Sequence, residues 1–433
     1  MKKKYFYATT STSKIYILLL LIYTPFYFAF SQGWTQLATT GAITARSNTS
    51  AIYDPVHNRM LLFGGHTSGG NVNDVWSLDL TSNVWSMIPT VSTQLPASRF
   101  THICMFDSLD NRMLVWSGNG NVLYNDVWAF NLSDSTWHQL FPDGNVTGAP
   151  LKRYGVAAVF DPLNRNIISF AGFTTSGRFD DTWSFSVDNQ NWTDETNLIF
   201  PLRRCLTSQS FAPDRREMIV YGGQSTGNLN DLWTLNVDGF NWTNHTPAFP
   251  PAARHFPSNV YCGNGHVVIF GGNSLNQGNT AGALNDLWAF SLISQTCDTI
   301  PQGSVKPSAR YGHTSIYIPS QDKMIIFGGQ GVTSLNAETW QYTGISSVLS
   351  STNEYPTNFN AFTCSPNPAH NFISVSFIAP TSGYEIEILN TFGEIIIKIK
   401  NQHRIDISQL SNGIYFIKVK QGERFYNKKF IKT

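Results

Sequence analysis

The sequence predicts an all-β chain in which a six-bladed β-propeller, closed by its own N-terminal strand, is followed by a small C-terminal β-sandwich. Three observations predict it. A unit of about 50 residues recurs six times, a spacing typical of propeller blades. The composition is rich in Trp (12) and Gly (33) yet only 13% charged, which suits many short strands and tight turns rather than disorder or a charged helical coil. Residues 366–433 carry alternating apolar runs separated by turn residues, the pattern of a small antiparallel sandwich.

Taken from the N-terminus, residues 1–31 form an expected export signal. Lys2, Lys3, Lys4 and Lys14 precede the apolar run Ile15 to Phe30, and the small residues Ala29 and Ser31 place the cleavage point between Ser31 and Gln32. The run is short for a membrane span and contains a proline, and no other segment is long and apolar enough to cross a bilayer. The mature chain is therefore expected to have no transmembrane segment.

Residues 32–345 hold the repeat. Each copy begins at an arginine, Arg46, Arg99, Arg153, Arg204, Arg254 or Arg310, and runs 19 residues (18 in the fifth copy) to the second position of a glycine pair or its relic. An acidic residue then stands two before a Trp: Asp74, Asp126, Asp181, Asp231, Asp286 and Glu338 precede Trp76, Trp128, Trp183, Trp233, Trp288 and Trp340. Nine residues further on lies a second Trp in four copies and Cys297 in the fifth; the sixth copy stops before that position. Its counterpart is at the other end of the chain, where Trp34 sits 12 residues before Arg46 as Trp192 and Trp242 sit before Arg204 and Arg254. The N-terminal segment is thus expected to be the outermost strand of the sixth blade, which removes an exposed sheet edge.

A Phe/Tyr-Gly-Gly, Asn-Asp-x-Trp, second-Trp unit resembles the kelch repeat, over about 310 residues from Trp34 to Trp340. The resemblance implies four strands, a to d, per blade and membership of the galactose oxidase central-domain-like superfamily. The second Trp residues are expected to fill the space between blades, so Cys297 predicts a thinner outer interface in the fifth blade. Their abundance is core and implies no aromatic sugar-binding stripe.

Residues 346–365, rich in Ser, Thr, Asn and Pro, are expected to be a linker. Beyond it, Asn367-Pro368, Asn390-Thr-Phe-Gly393, Ile405 to Leu410, Gly413-Ile-Tyr-Phe416 and the final Lys428 to Lys432 resemble the type A C-terminal sorting domain of the type IX secretion system. The resemblance implies a Gram-negative cell, the secretion machinery as a partner, and a protein that is released or attached at the outer-membrane surface. An ordinary carbohydrate-binding or immunoglobulin-like sandwich fits less well, because no aromatic platform is visible.

Composition and spacing narrow the function. The whole chain carries a net charge of +1, but residues 32–364 hold 16 Lys and Arg against 23 Asp and Glu, a net −7, which speaks against nucleic acid as a ligand. Five cysteines without a CxxC suggest neither a disulfide framework nor a zinc site. Loop lengths are nearly fixed in the a–b and c–d turns and vary in the b–c and d–a connections, which share one face, and this face is the candidate recognition surface. The longest insertion, Asn273 to Leu284, is expected to form a lip over the channel.

Six arginines at the mouth of that face are the candidate binding residues, suited to a carboxylate or sulfate group. The competing expectation is structural: unpaired cations around one axis repel, and each of the six acidic residues stands where it can neutralise one arginine. A copper site of the galactose oxidase type would need paired histidines and a Tyr–Cys cross-link. Adjacent Tyr261 and Cys262 point to opposite strand faces and cannot form it. No catalytic residue, cofactor or metal is expected. The function anticipated is a surface module binding a protein or glycan; the alternative is a carbohydrate-active enzyme, resembling sialic acid mutarotases or galactose oxidase, with its site at the channel mouth.

Overall fold

The computed structural model describes residues 33–144, 146–276, 278–346, 349, 362–377, 383–390, 395–421 and 424–433. The expected export signal with its Ser31–Gln32 cleavage point, and most of the expected linker, lie outside the described residues.

Each repeat folds into a four-stranded antiparallel blade. In the first, strands a to d are Ser50–Asp54, Arg59–Thr67, Gly70–Asp79 and Val84–Ile88. The other innermost strands are Ile103–Asp107, Ala157–Asp161, Ser208–Ala212, Ser258–Gly263 and Thr314–Ile318. The sixth blade is completed by Gly33–Gln36, which pairs antiparallel with Thr339–Thr343 through Trp34 opposite Tyr342 and Gln36 opposite Trp340. First and last segments thus close the ring, as the displaced Trp34 predicts.

The innermost strands start four residues after each arginine rather than at it. The reason is the residue two after each arginine, Asn48, Thr101, Gly155, Leu206, Phe256 or Gly312, which has φ between 53° and 63°. Its N–H donates to the carbonyl of the equivalent residue in the preceding blade, from Asn48 to Gly312, Gly312 to Phe256, and so on round to Thr101 and Asn48, at 2.6–3.1 Å. These six bonds form an unbroken hydrogen-bonded ring about the axis. At Gly155 and Gly312 the neighbouring side chains fill the space a Cβ would take, 2.5 Å from Leu206 Cδ2 and 2.3 Å from Asn48 Oδ1.

Packing between blades follows the repeat. Each outer Trp packs at a tilt against the aromatic residue before the glycine pair of the preceding blade: Trp85 on Phe327 at 4.8 Å, Trp137 on Phe63 at 5.0 Å, Trp192 on Trp116 at 4.4 Å, Trp242 on Phe170 at 4.5 Å and Trp34 on Phe270 at 4.9 Å. Such a contact combines large apolar burial with ring geometry. At the fifth blade the partly buried Cys297 takes the place of that Trp against the cluster around Tyr221, Phe290 and Leu292. Among the described residues no disulfide joins Cys104, Cys205, Cys262 and Cys297.

The C-terminal region has two antiparallel sheets. One contains Phe362–Ser365, Phe372–Phe377 and Arg404–Asp406; the other is ordered Ile395–Lys400, Tyr384–Leu389, Gly413–Gln421 and Arg424–Lys432. Ile373, Val375, Ile386, Ile388, Ile405, Ile417 and Val419 form its core, the inward positions of the alternating pattern.

Candidate functional site

The arginine ring is a ring of six ion pairs whose guanidinium ends are buried. Arg46, Arg99, Arg153, Arg204, Arg254 and Arg310 are each at most 1% exposed. Five fork both terminal nitrogens onto Asp74, Asp126, Asp181, Asp231 and Asp286 at 2.6–3.0 Å, and Arg310 reaches Glu338 with Nη2 at 2.6 Å. Each Nε donates to the carbonyl two residues back, and each Nη1 also donates to the carbonyl of the first residue of the glycine pair, as Arg99 does to Ala97 and Ser117. Pairing prevails because a buried guanidinium without a counter-charge would cost several kcal/mol. No arginine of the ring presents a free face to a ligand.

The structure also explains why the acid stands two residues before a Trp. Residues i and i+2 share a strand face, and in every blade the indole Nε1–H donates to that carboxylate at 2.7–3.0 Å. Burial works to raise the Asp286 and Glu338 carboxyls, but the contacts with Arg254 and Arg310 and with Trp288 and Trp340 outweigh it and hold both below the usual range.

Outside this constant frame lie the residues that sequence reasoning missed. The residue after each arginine pairs with the one after each glycine pair: Ser47 with His66, Phe100 with Asn119, Tyr154 with Phe173, Cys205 with Gln224, His255 with Asn273 and Tyr311 with Gln330. These two columns vary inside a fixed pattern, the signal by which they are found. They form an aromatic and amide-rich rim on the face of the b–c and d–a connections. His66 contacts Phe100 at 5.8 Å, Tyr154 contacts Phe173 at 5.5 Å, and Phe256 stacks on Tyr311 at 6.4 Å.

Arg178 lies in this rim and belongs to no repeat position. Its Nη2 donates to Gln224 Oε1 at 2.8 Å, its guanidinium lies 5.4 Å from the Phe173 ring centre, and its buried Nε has no hydrogen-bond partner. Its charge opposes the upward shift that burial gives the Cys205 thiol. Among the described residues of the propeller, it is the arginine with no carboxylate within 4.0 Å; the other twelve are paired. The long insertion folds onto itself beside this rim: Ser274 N–H donates to the Gly282 carbonyl, and Asn228 Nδ2 donates to the carbonyls of Asn273 and Leu275 at 3.2 and 3.0 Å.

The histidines three residues after Arg99 and Arg310 are interior groups. Burial pushes the His102 and His313 imidazoles down to about 3, and that of His255 to about 4. Tyr261 and Cys262 enter different inter-blade clusters, on opposite faces of their strand. Among the described residues no three His, Cys, Asp or Glu gather where they could hold a metal ion, and no helix is long and apolar enough to cross a membrane.

Six four-stranded blades closed around an axis, each locked by an Arg–acid–Trp frame, define a propeller of the kelch type. Residues 10–149 and 145–329 match the KLHDC2/KLHL20/DRC7 Kelch-repeats domain, and the chain belongs to the kelch-repeat family. Residues 364–433 match the secretion system C-terminal sorting domain, which marks a bacterial protein for type IX secretion. Relatives are distant. The chain is 26% identical to the Leucine-zipper-like transcriptional regulator 1 homolog of Drosophila melanogaster over 203 residues, 44% of this chain and 20% of that protein. It is 20% identical to Mei4-dependent protein 6 of Schizosaccharomyces pombe over 328 residues, 67% and 46% of the two chains. It is 28% identical to human Kelch domain-containing protein 10 over 115 residues, 25% and 26% of the two. The chain therefore spans less than half the length of each of these curated relatives.

Proposed function

We propose that this protein acts outside the cell or at the outer-membrane surface of a Gram-negative bacterium as a non-catalytic module. It binds a protein or glycan through the rim on the face of the b–c and d–a connections. In this scheme residues 1–31 are removed on export, 32–345 are the binding propeller, 346–365 a linker and 366–433 the sorting domain. The observation that carries the reading is Arg178: a guanidinium with no carboxylate partner, held by Phe173 and Gln224 in an otherwise neutral rim, suits an acidic group on the partner. The kelch fold and the sorting domain supply its context.

The test is a glycan array and a cell-surface protein pull-down with the chain from Gln32 to Thr433, run in parallel with Arg178→Ala. Binding that falls at least tenfold in the variant, about 1.4 kcal/mol, is expected. Unchanged binding in Arg178→Ala removes the rim contact from the proposal. Deleting residues 366–433 is expected to leave the protein inside the cell.

A further inference from the structure

The sorting domain has an outer sheet face that its own core does not use. In the sheet formed by Ile395–Lys400, Tyr384–Leu389, Gly413–Gln421 and Arg424–Lys432, Ile386, Ile388, Ile397, Ile417, Val419 and Phe430 turn inward to the sandwich core. Strand alternation sends the residues between them to the opposite face. That face divides into two halves of different chemistry.

One half is charged and meets its own charges. Lys398 Nζ lies 2.6 Å from Glu385 and 2.8 Å from Glu387, Lys400 reaches Glu385 at 3.5 Å and Lys418 reaches Glu387 at 3.8 Å. These pairs tie three strands together on the surface.

The other half is apolar. Leu389 stands opposite both Phe416 and Ile395, and Ile414 stands opposite Ile431, so the patch crosses all four strands. The register shifts after Ile388, where Ile396 is an extra residue on the edge strand, and Ile395 and Ile396 both stay outside the core. Ile395, Ile396, Ile414, Phe416 and Ile431 are each 39–51% exposed. Single exposed apolar residues are ordinary, but a contiguous set across a sheet marks a contact surface.

Two observations select its occupant. Residues 364–433 match a secretion system sorting domain, a role that requires the domain to be bound during export. Residues 365–433 also carry nine Lys and Arg against five Asp and Glu, a net +4, which favours an acidic surround on the partner. We propose that the apolar half of this face, centred on Ile414 and Phe416, docks on a component of the export machinery that presents an apolar seat with an acidic rim. The proposal rests on the sorting role of this domain and adds to it the surface used and the chemistry of the partner.

The experiment follows the full chain in a bacterium that carries the type IX system and measures the share of protein found outside the cell. Ile414→Asp combined with Phe416→Asp is expected to lower that share at least about tenfold. Ile395→Ser combined with Ile396→Ser, on the edge strand, is expected to lower it too, whereas Phe416→Leu and Lys400→Gln leave it unchanged. Urea unfolding of the chain from Gln32 to Thr433 identifies which patch variants are folded, and the comparison is made on those. Deleting residues 366–433 separates the two readings. Export that survives the deletion removes the sorting role and this surface with it. Export that is blocked by the deletion but intact in the folded patch variants overturns the docking surface alone, as does an equal loss in Lys400→Gln. Light scattering tests a second copy as the occupant: a wild-type dimer that the patch variants convert to monomers also overturns the proposal.

Discussion

Removing the Asp126 carboxylate tests the frame where it is most enclosed. Arg99 is 0% exposed and the Asp126 side chain 5%. Oδ1 accepts from Arg99 Nη1 at 2.6 Å, while Oδ2 accepts from Arg99 Nη2 at 2.8 Å and from Trp128 Nε1 at 2.7 Å. Asp126→Ala leaves a buried guanidinium without its counter-charge and an indole N–H without an acceptor, a loss of about 3–5 kcal/mol. Asp126→Asn is no rescue despite its matching shape. Both carboxylate oxygens face donors, so the amide NH₂ meets an N–H in either orientation, and the cost is expected to be at least about 2 kcal/mol. The assay is urea unfolding followed by tryptophan fluorescence, with Asp286→Ala as the comparison. Asp286 is 35% exposed, so water reaches that pair and a smaller loss is expected. The reasoning fails if Asp126→Asn unfolds within about 0.5 kcal/mol of wild type, or if Asp286→Ala costs more than Asp126→Ala.

Acidification destabilises the propeller through His102, His313 and His255. Each folded-state pKa lies below the unfolded 6.5, so the unfolded chain binds the extra proton. Stability is fully present above about pH 6.5 and falls between there and about pH 3–4, by up to about 1.4 kcal/mol per pH unit for each imidazole. Unfolding midpoints measured at pH 7, 6 and 5 check this, and His102→Gln is expected to flatten the slope. Cys297→Trp restores the ring that five blades place between neighbours and is expected to add about 1 kcal/mol in the same urea assay. Deleting Gly33–Gln36 exposes the Thr339–Thr343 edge and strips Trp34 from Phe270 and Tyr342. Loss of at least about 3 kcal/mol and concentration-dependent association in size-exclusion chromatography are expected.

Much of this protein was legible because a repeat samples one local rule six times. The glycine pairs, the acid–x–Trp spacing and the displaced Trp34 are one-dimensional records of contacts made within a blade or between consecutive blades. They therefore predict strand order, ring closure and even the partner of each arginine. The acid–x–Trp spacing was visible without its cause, since a shared hydrogen bond from the indole to the carboxylate appears only when both side chains are placed on one strand face.

The sequence by itself determined the blade count, the closing strand, the sorting domain and the negative charge of residues 32–364. Tertiary structure alone decided which cations stay available. Six arginines alike in sequence are consumed by carboxylates 27 to 32 residues away, whereas Arg178, outside the pattern, donates to the neutral Gln224 and has no carboxylate partner. It also decided that a hydrogen-bonded ring closes about the axis two residues after each arginine. Those properties depend on positions about an axis that exists only once the ring has closed, and no spacing along the chain encodes them directly.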